Sequence, residues 1–248
     1  MLKIKKVFAF FLTLVMLVAS SGAVASAMDL SGITSEDINT HIHPSYAEKS
    51  ALSDADVQTT DIVTEEDGIL TVETDFGLKF TYKLSEDVNY LTQDLQHDLL
   101  TYLNCYNEPV ETVRHFIEDE MHLNIYTTTD QYLDIFFYAF EDTDKLSEII
   151  VDANDLTEKE AEAIIDVLSN AFETNFEFGS LGDQNWFIGD ALEEYNMLIG
   201  VTYVGGHMIE ATLRNIASDD DIETILNMLG SVSLSMNEEQ HNNVRRIL

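Results

Sequence analysis

Residues 194–215 read EYNMLIGVTYVGGHMIEATLRN, two apolar runs on either side of Gly205-Gly206. That arrangement predicts a β-hairpin, and two registers compete for it. A two-residue Gly-Gly loop would pair Tyr203 with Met208 and Val201 with Glu210, placing a carboxylate in an apolar stripe. A three-residue loop over Gly205, Gly206 and His207 pairs Tyr203 with Ile209, Val201 with Ala211 and Ile199 with Leu213. One face is then wholly apolar, and the other carries Gly200, Thr202, Glu210 and Thr212. A one-residue slip turns every side chain over, so the cleaner pattern is the expected one, and three-residue loops with a left-handed glycine are common.

Working outward from the hairpin, the N-terminal residues have the marks of a targeting segment. Lys3, Lys5 and Lys6 precede an apolar run over residues 7–18, and Ala25-Ser26-Ala27 supplies small residues for cleavage. This predicts a secretory signal peptide over residues 1–27. The apolar run is shorter than the roughly 20 residues of a spanning helix, so no membrane insertion is expected after cleavage. The basic start and acidic remainder suit a bacterial secreted protein.

The chain of 248 residues carries 46 acidic against 12 basic side chains, a formal charge of -34. Removing residues 1–27 takes away three lysines and no acid. Charge of this sign repels phosphate backbones and anionic membrane surfaces, which excludes nucleic acid as a partner and favours cations. Cys105 is the single cysteine. The fold therefore has no intramolecular disulfide despite an oxidising destination, and an ordinary core, 45% hydrophobic residues, must carry the stability.

Residues 28–66 are rich in Ser, Thr, Asp and Glu without a sustained period, and read as a polar, disordered linker. A single domain is expected over residues 67–235, followed by a polar tail over 236–248. Ile69, Thr71 and Glu73 alternate with Leu70, Val72 and Thr74, and Leu78, Phe80 and Tyr82 alternate with Lys79, Thr81 and Lys83: two strands around Asp75-Phe76-Gly77. Leu91, Leu95, Leu99 and Leu103 recur every fourth residue, which predicts an amphipathic helix. A second helix is expected from Pro109, with Val110, Val113 and Ile117 inward and Phe116 widening the stripe. Cys105, between them, reads as a half-buried filler.

HLNIYTT and QYLDIFFYAF follow as strands. The second is apolar on both faces, the sign of a strand inside a covered sheet. Thr157 to Glu160 fits a capping box ahead of Ala161, Ile164, Ile165, Leu168 and Phe172. Residues 174–191 read as one or two strands around a glycine turn. After the hairpin, Ser218 and three aspartates open a last helix lined by Ile222, Ile225, Leu226 and Leu229. Gly230 ends it, and Val232 and Leu234 begin a final strand.

This order, with the Gly-Gly hairpin, the closing helix and the short SVSLS strand, resembles the PsbP-like α+β fold. That fold is shared by photosystem accessory proteins and a nuclear Ran-GTPase release factor. The HFIEDEMHLNIYTTT segment and the helix opened by DANDLTEKE are also similar to uncharacterised secreted proteins of Firmicutes. The resemblance covers roughly residues 69–235. It implies an antiparallel sheet flanked by helices, in domains that more often bind or assist than catalyse.

Candidate chemistry is sparse. Asp152, Asn154 and Asp155, near Asp142 and Asp144, offer the oxygen ligands calcium prefers, although the EF-hand pattern fails at Leu156. The competing reading is a solvated loop in which Asp155 helps to start a helix. Calcium is the one ion the sequence brings forward; otherwise no cofactor is expected. His41 and His43, just before Pro44, lack partners to complete a zinc or copper site. His97, His115 and His122 have no metalloprotease spacing. Cys105 and the serines lie in no nucleophile motif. Trp186, the single tryptophan, stands beside glycines in GDQNWF and is the candidate contact for a ligand if it lies on a loop, or a core ring if it begins a strand. The sequence thus predicts an extracellular, non-catalytic binding or accessory module for a protein or small ligand. The alternative is a secreted hydrolase using paired carboxylates in a cleft.

Overall fold

The computed structural model describes residues 28, 30, 32–34, 37–38, 59–129, 132–141, 144–191 and 195–237. Among them the chain is α+β, with eleven strands in two antiparallel sheets and four helices. The small sheet has the order β1-β2-β3-β11, from Ile62–Glu66, Ile69–Glu73, Leu78–Lys83 and Val232–Met236. The large sheet has the order β4-β5-β6-β10-β9-β8-β7. Its strands are Val88–Thr92 (β4), Met121–Thr127 (β5), Asp134–Ala139 (β6), Phe176–Leu181 (β7), Gln184–Ala191 (β8), Met197–Val204 (β9) and His207–Arg214 (β10).

Both faces of the large sheet are covered. One packs on the small sheet and on helix α4 (Asp219–Gly230), so that Leu70, Phe80, Phe137, Ile209, Ala211 and Ile225 share one core. The other packs on helix α3 (Glu158–Ala171), where Ala161, Ile164 and Leu168 meet Phe136, Phe187, Val201 and Tyr203. Each large side chain sealed this way contributes about 1.5–3 kcal/mol. Helices α1 (Leu99–Cys105) and α2 (Pro109–Glu118) close a third, smaller core of Leu91, Tyr102, Val113 and Tyr126.

Several local readings hold because short-range chemistry dictates them. In α3 the Glu160 amide donates to Thr157 Oγ1 at 3.3 Å, and Glu160 Oε2 accepts from the Thr157 amide at 2.9 Å. Ser218 and Asp221 form the same box at α4. β6 lies between β5 and β10, with Ile135, Phe137 and Ala139 in one core and Phe136 and Tyr138 in the other.

The hairpin takes the other register. Met208 pairs with Tyr203 and Glu210 with Val201, so the loop is Gly205-Gly206 alone. Both glycines have positive φ, +62° and +80°, the shape a two-residue loop needs to match strand twist. The expectation assumed one solvated face. With both faces covered, Ile209, Ala211 and Leu213 go to one core and Met208 to the other, and Glu210 is fully buried beside it.

Three further expectations are corrected. Residues 88–92 form strand β4, with Leu91 opposite Asn124 of β5, and the helix begins only at Leu99. The Asp98 carboxylate accepts from the Thr92 amide at 2.6 Å and from the Thr92 hydroxyl at 2.7 Å, closing the turn between them. Leu99 and Leu103, expected inside, are exposed. Cys105 is exposed as well, at the end of a short helix whose buried residue is Tyr102. The small sheet also takes in Ile62–Glu66, residues assigned from sequence to the linker. From the same stretch Ile38 is buried in the α3-side core, where Leu30 and Ile33 pack.

Candidate functional site

A cleft of about 330 Å³ opens where four chain segments meet. One is the turn Asp152 to Asn154, the next is Asp183 with Gln184 where β8 begins, and the third is the hairpin tip, Val204 and Gly205. The fourth is β11, through Ser233, Leu234, Ser235 and Met236. The hairpin tip is tied to the first turn by the Gly206 amide, which donates to the Val151 carbonyl at 2.8 Å. Gly205 packs closely on β11: a Cβ there would lie 2.2 Å from Met236 Cγ, so that side chain would have to shift.

An amide network fixes the floor. Asn154 Nδ2 donates to the Asp183 carbonyl and to Gln184 Oε1, both at 3.2 Å, while Asn154 Oδ1 accepts from the Asn185 amide at 2.7 Å. Gln184 Nε2 in turn donates to Thr202 Oγ1 at 2.8 Å. Asp152 Oδ1 accepts from the Asn154 amide at 2.8 Å, capping the short 3-10 turn Ala153–Asp155. Asp183 is exposed at the mouth. The wall therefore offers two carboxylates, side-chain amides, serine hydroxyls and strand backbone. Among the described residues lining it there is no histidine, cysteine, lysine, arginine or tyrosine.

Of the residues singled out from the sequence, Asp152 and Asn154 come together here and Asp155 is not among the lining residues. Asn154 spends its oxygen on Asn185 and its nitrogen on the β7–β8 turn. No group of three or more His, Cys, Asp or Glu is placed to hold a metal among the described residues. His41, His43 and Asp142 lie outside the described residues. Trp186 does not reach the cleft. It is fully buried in β8 within the inter-sheet core, with Phe187 in the opposite core, because successive strand residues alternate.

His122 is the residue whose role was least visible. The register of β5 on β6 shifts between Met121 and Leu123, a bulge that turns His122 into the layer between the sheets. There its ring lies by Phe76 and Phe80. Nδ1 meets Asp61 Oδ2 at 2.6 Å and Nε2 meets the Ala139 carbonyl at 3.1 Å. Both partners are acceptors, so both ring nitrogens carry protons. Burial opposes that charge, but the bond to Asp61, its charge and the Ala139 carbonyl outweigh it and hold the His122 pKa above its usual value. With Nε2 taken by a carbonyl, this histidine has no free nitrogen for proton transfer.

A second charged cluster lies at the far end of β6 and β10, where Asp134 and Arg214 are cross-strand partners. The Arg214 guanidinium sits 4.5 Å from the Phe136 ring centroid, and Asp134 Oδ1 accepts from Asn215 Nδ2 at 3.0 Å. Burial pushes the Asp134 carboxyl up to about 6, with Arg214 and Asn215 pulling in the other direction. Nearby, Cys105 Sγ and the Tyr126 hydroxyl are 3.8 Å apart. Asp134 and Asn215 are 81 positions apart in the chain and are joined by the pairing of β6 with β10, which no local sequence pattern states.

No protein-family model matches the chain, and neither a curated protein nor a solved structure matches it at a significant level.

Proposed function

We propose that this chain is a secreted bacterial binding module of PsbP-like architecture that holds a ligand or partner in the cleft beside β11 without transforming it. The observation that carries this reading is the chemistry of the cleft wall. Its carboxylates, amides, hydroxyls and strand backbone are recognition groups, and no histidine, lysine or cysteine among the described lining residues stands beside its serines to activate them. Among the described residues, the buried His122–Asp61 pair has both ring nitrogens occupied. Support for secretion is the pattern of residues 1–27, which predicts a processed chain beginning at Met28, readable by intact mass. Support for the PsbP-like reading is an antiparallel sheet with helices against it and a closing helix followed by a short strand. The four-stranded sheet is an addition to that outline.

A thermal melt against metals, calcium included, sugars and peptides tests the binding reading, because a ligand that prefers the native state raises the midpoint. A shift lost in Asp183→Asn places the ligand in the cleft. Shifts indifferent to every cleft substitution would remove this reading.

Asp152 and Asp183 on one cleft also favour a second reading, a hydrolase with paired carboxylates. Turnover of glycosides, esters or peptides that falls at least a hundredfold in Asp183→Asn would establish it in place of the first.

A further inference from the structure

We propose that the cleft receives an extended, lysine- or arginine-bearing polypeptide segment, which adds to the open edge of β11 as a fifth strand of the small sheet. This rests on the binding reading above and names the class of ligand. β11 is the last strand of its sheet and pairs only with β3 among the described residues. Four successive residues of it, Ser233, Leu234, Ser235 and Met236, line the cleft. Side chains alternate along a strand, so a cavity over one face would touch every second residue. Four in a row place the strand's edge along the cavity.

The orientation of the edge follows from the bonds on its other side. The Leu78 carbonyl accepts from the Thr74 amide at 2.8 Å, and the Leu78 amide donates to Thr74 Oγ1 at 3.0 Å. Leu78 thus turns its backbone groups away from β11, and Met236 opposite it is a non-hydrogen-bonded pair. The Asn237 amide, one residue on, donates to the Gly77 carbonyl at 2.9 Å. The N–H and C=O groups of Leu234 and Met236 therefore point away from β3, along the edge that borders the cleft. A strand laid there would be held by main-chain bonds, the mode that tolerates many sequences.

Nothing on β11 guards this edge. Its sequence, VSLSM, has no charge and no proline, the usual devices against strand addition. The opposite edge of the same sheet, IVTEE, ends in two glutamates. Charge selects the occupant. Asp152 and Asp183 face the cleft, and a chain of formal charge -34 repels a second copy of itself while drawing in a cationic segment.

The test uses blocked, fluorescent six-residue peptides that alternate lysine with valine or threonine, titrated against the full chain by anisotropy. Each is compared with versions N-methylated on alternate residues, in both phases. Strand addition predicts saturable binding that falls roughly tenfold or more in one phase, where edge hydrogen bonds are lost, and survives in the other. Asp152→Asn with Asp183→Asn is expected to weaken it several-fold at low salt and to flatten its salt dependence; asparagine at 152 keeps the cap. Equal binding of both methylated phases would overturn strand addition and leave the binding reading standing. A glutamate-for-lysine peptide that binds equally well would overturn the cationic occupant that the proposal names. A concentration-dependent dimer abolished by Leu234→Pro would overturn the proposal by naming a second copy as the added strand. No response in the cleft to peptides, sugars or metals would remove both readings.

Discussion

Asp134 shows how a single buried group can set a pH dependence. Its carboxyl is raised to about 6 chiefly by burial, against about 3.9 in an unfolded chain. The folded state therefore binds the proton more tightly, and stability falls as pH rises from about 4 through about 6. Asp134→Asn removes the buried charge and keeps an oxygen for Asn215. It is expected to stabilise the chain by about 1–2 kcal/mol at pH 7 and to change little at pH 4, as read from urea melts at both pH values. His122 acts in a higher window. Its raised pKa gives a contribution fully present below about pH 6.5 and lost as pH climbs through the folded value. His122→Phe leaves Asp61 buried without its cation and is expected to cost about 3–5 kcal/mol at pH 6. At this scale the sequence was legible where the chemistry is local: Thr157, Ser218 and their acidic partners announce helix starts by spacing alone. It was silent where the partner is distant in sequence, as for His122 with Asp61 and Asp134 with Arg214. Trp186 stands between these cases. Its alternation with Phe187 placed one ring in a core, and only the second covered face shows why both rings are buried.

Among the elements, the glycine turns fix how the layers meet. Gly182, with φ +62°, brings the β7–β8 turn so close to the end of α4 that a Cβ would lie 1.8 Å from the Gly230 carbonyl oxygen. Gly205 has the same φ, but its obstacle is Met236 Cγ at 2.2 Å, the middle of a flexible side chain. Gly182→Ala is accordingly expected to cost about 2–4 kcal/mol and Gly205→Ala about 1–2 kcal/mol, compared by denaturant midpoints at constant slope. The reverse order would mean that the α4 contact yields more readily than its geometry implies. Element identity was readable for β2, β3, β6, α3 and α4, whose periods agree with their tertiary surroundings. It failed at residues 91–98, where leucines four apart mimic a helix while pairing of Leu91 with β5 draws the segment into the sheet. The hairpin failed for a related reason. Register was inferred from a polar face, and the large sheet has none through its centre.

For the whole molecule, the two sheets share one core and the large sheet bears a second core on its other face. No disulfide is needed to hold such a body together, since burial on both sides of the large sheet supplies the cohesion. Trp186 reports on this directly. Its emission is expected to be blue-shifted and shielded from iodide until the fold is lost, and to stay unchanged when a peptide enters the cleft, because the ring lies in the inter-sheet core. The cleft was legible only in part. Asp152 and Asn154 were singled out as oxygen ligands, but the β11 wall of the same cleft comes from packing Met236 on Gly205, which no sequence pattern states. The most direct measurement is residue-resolved amide hydrogen exchange along β11 in the full chain, with and without the lysine-bearing peptide. An open edge at the cleft predicts fast exchange at Leu234 and Met236 and slow exchange at Ser233 and Ser235, with the first two becoming protected on binding. Slow exchange at Leu234 and Met236 in the free chain, or no protection at saturating peptide, would contradict it.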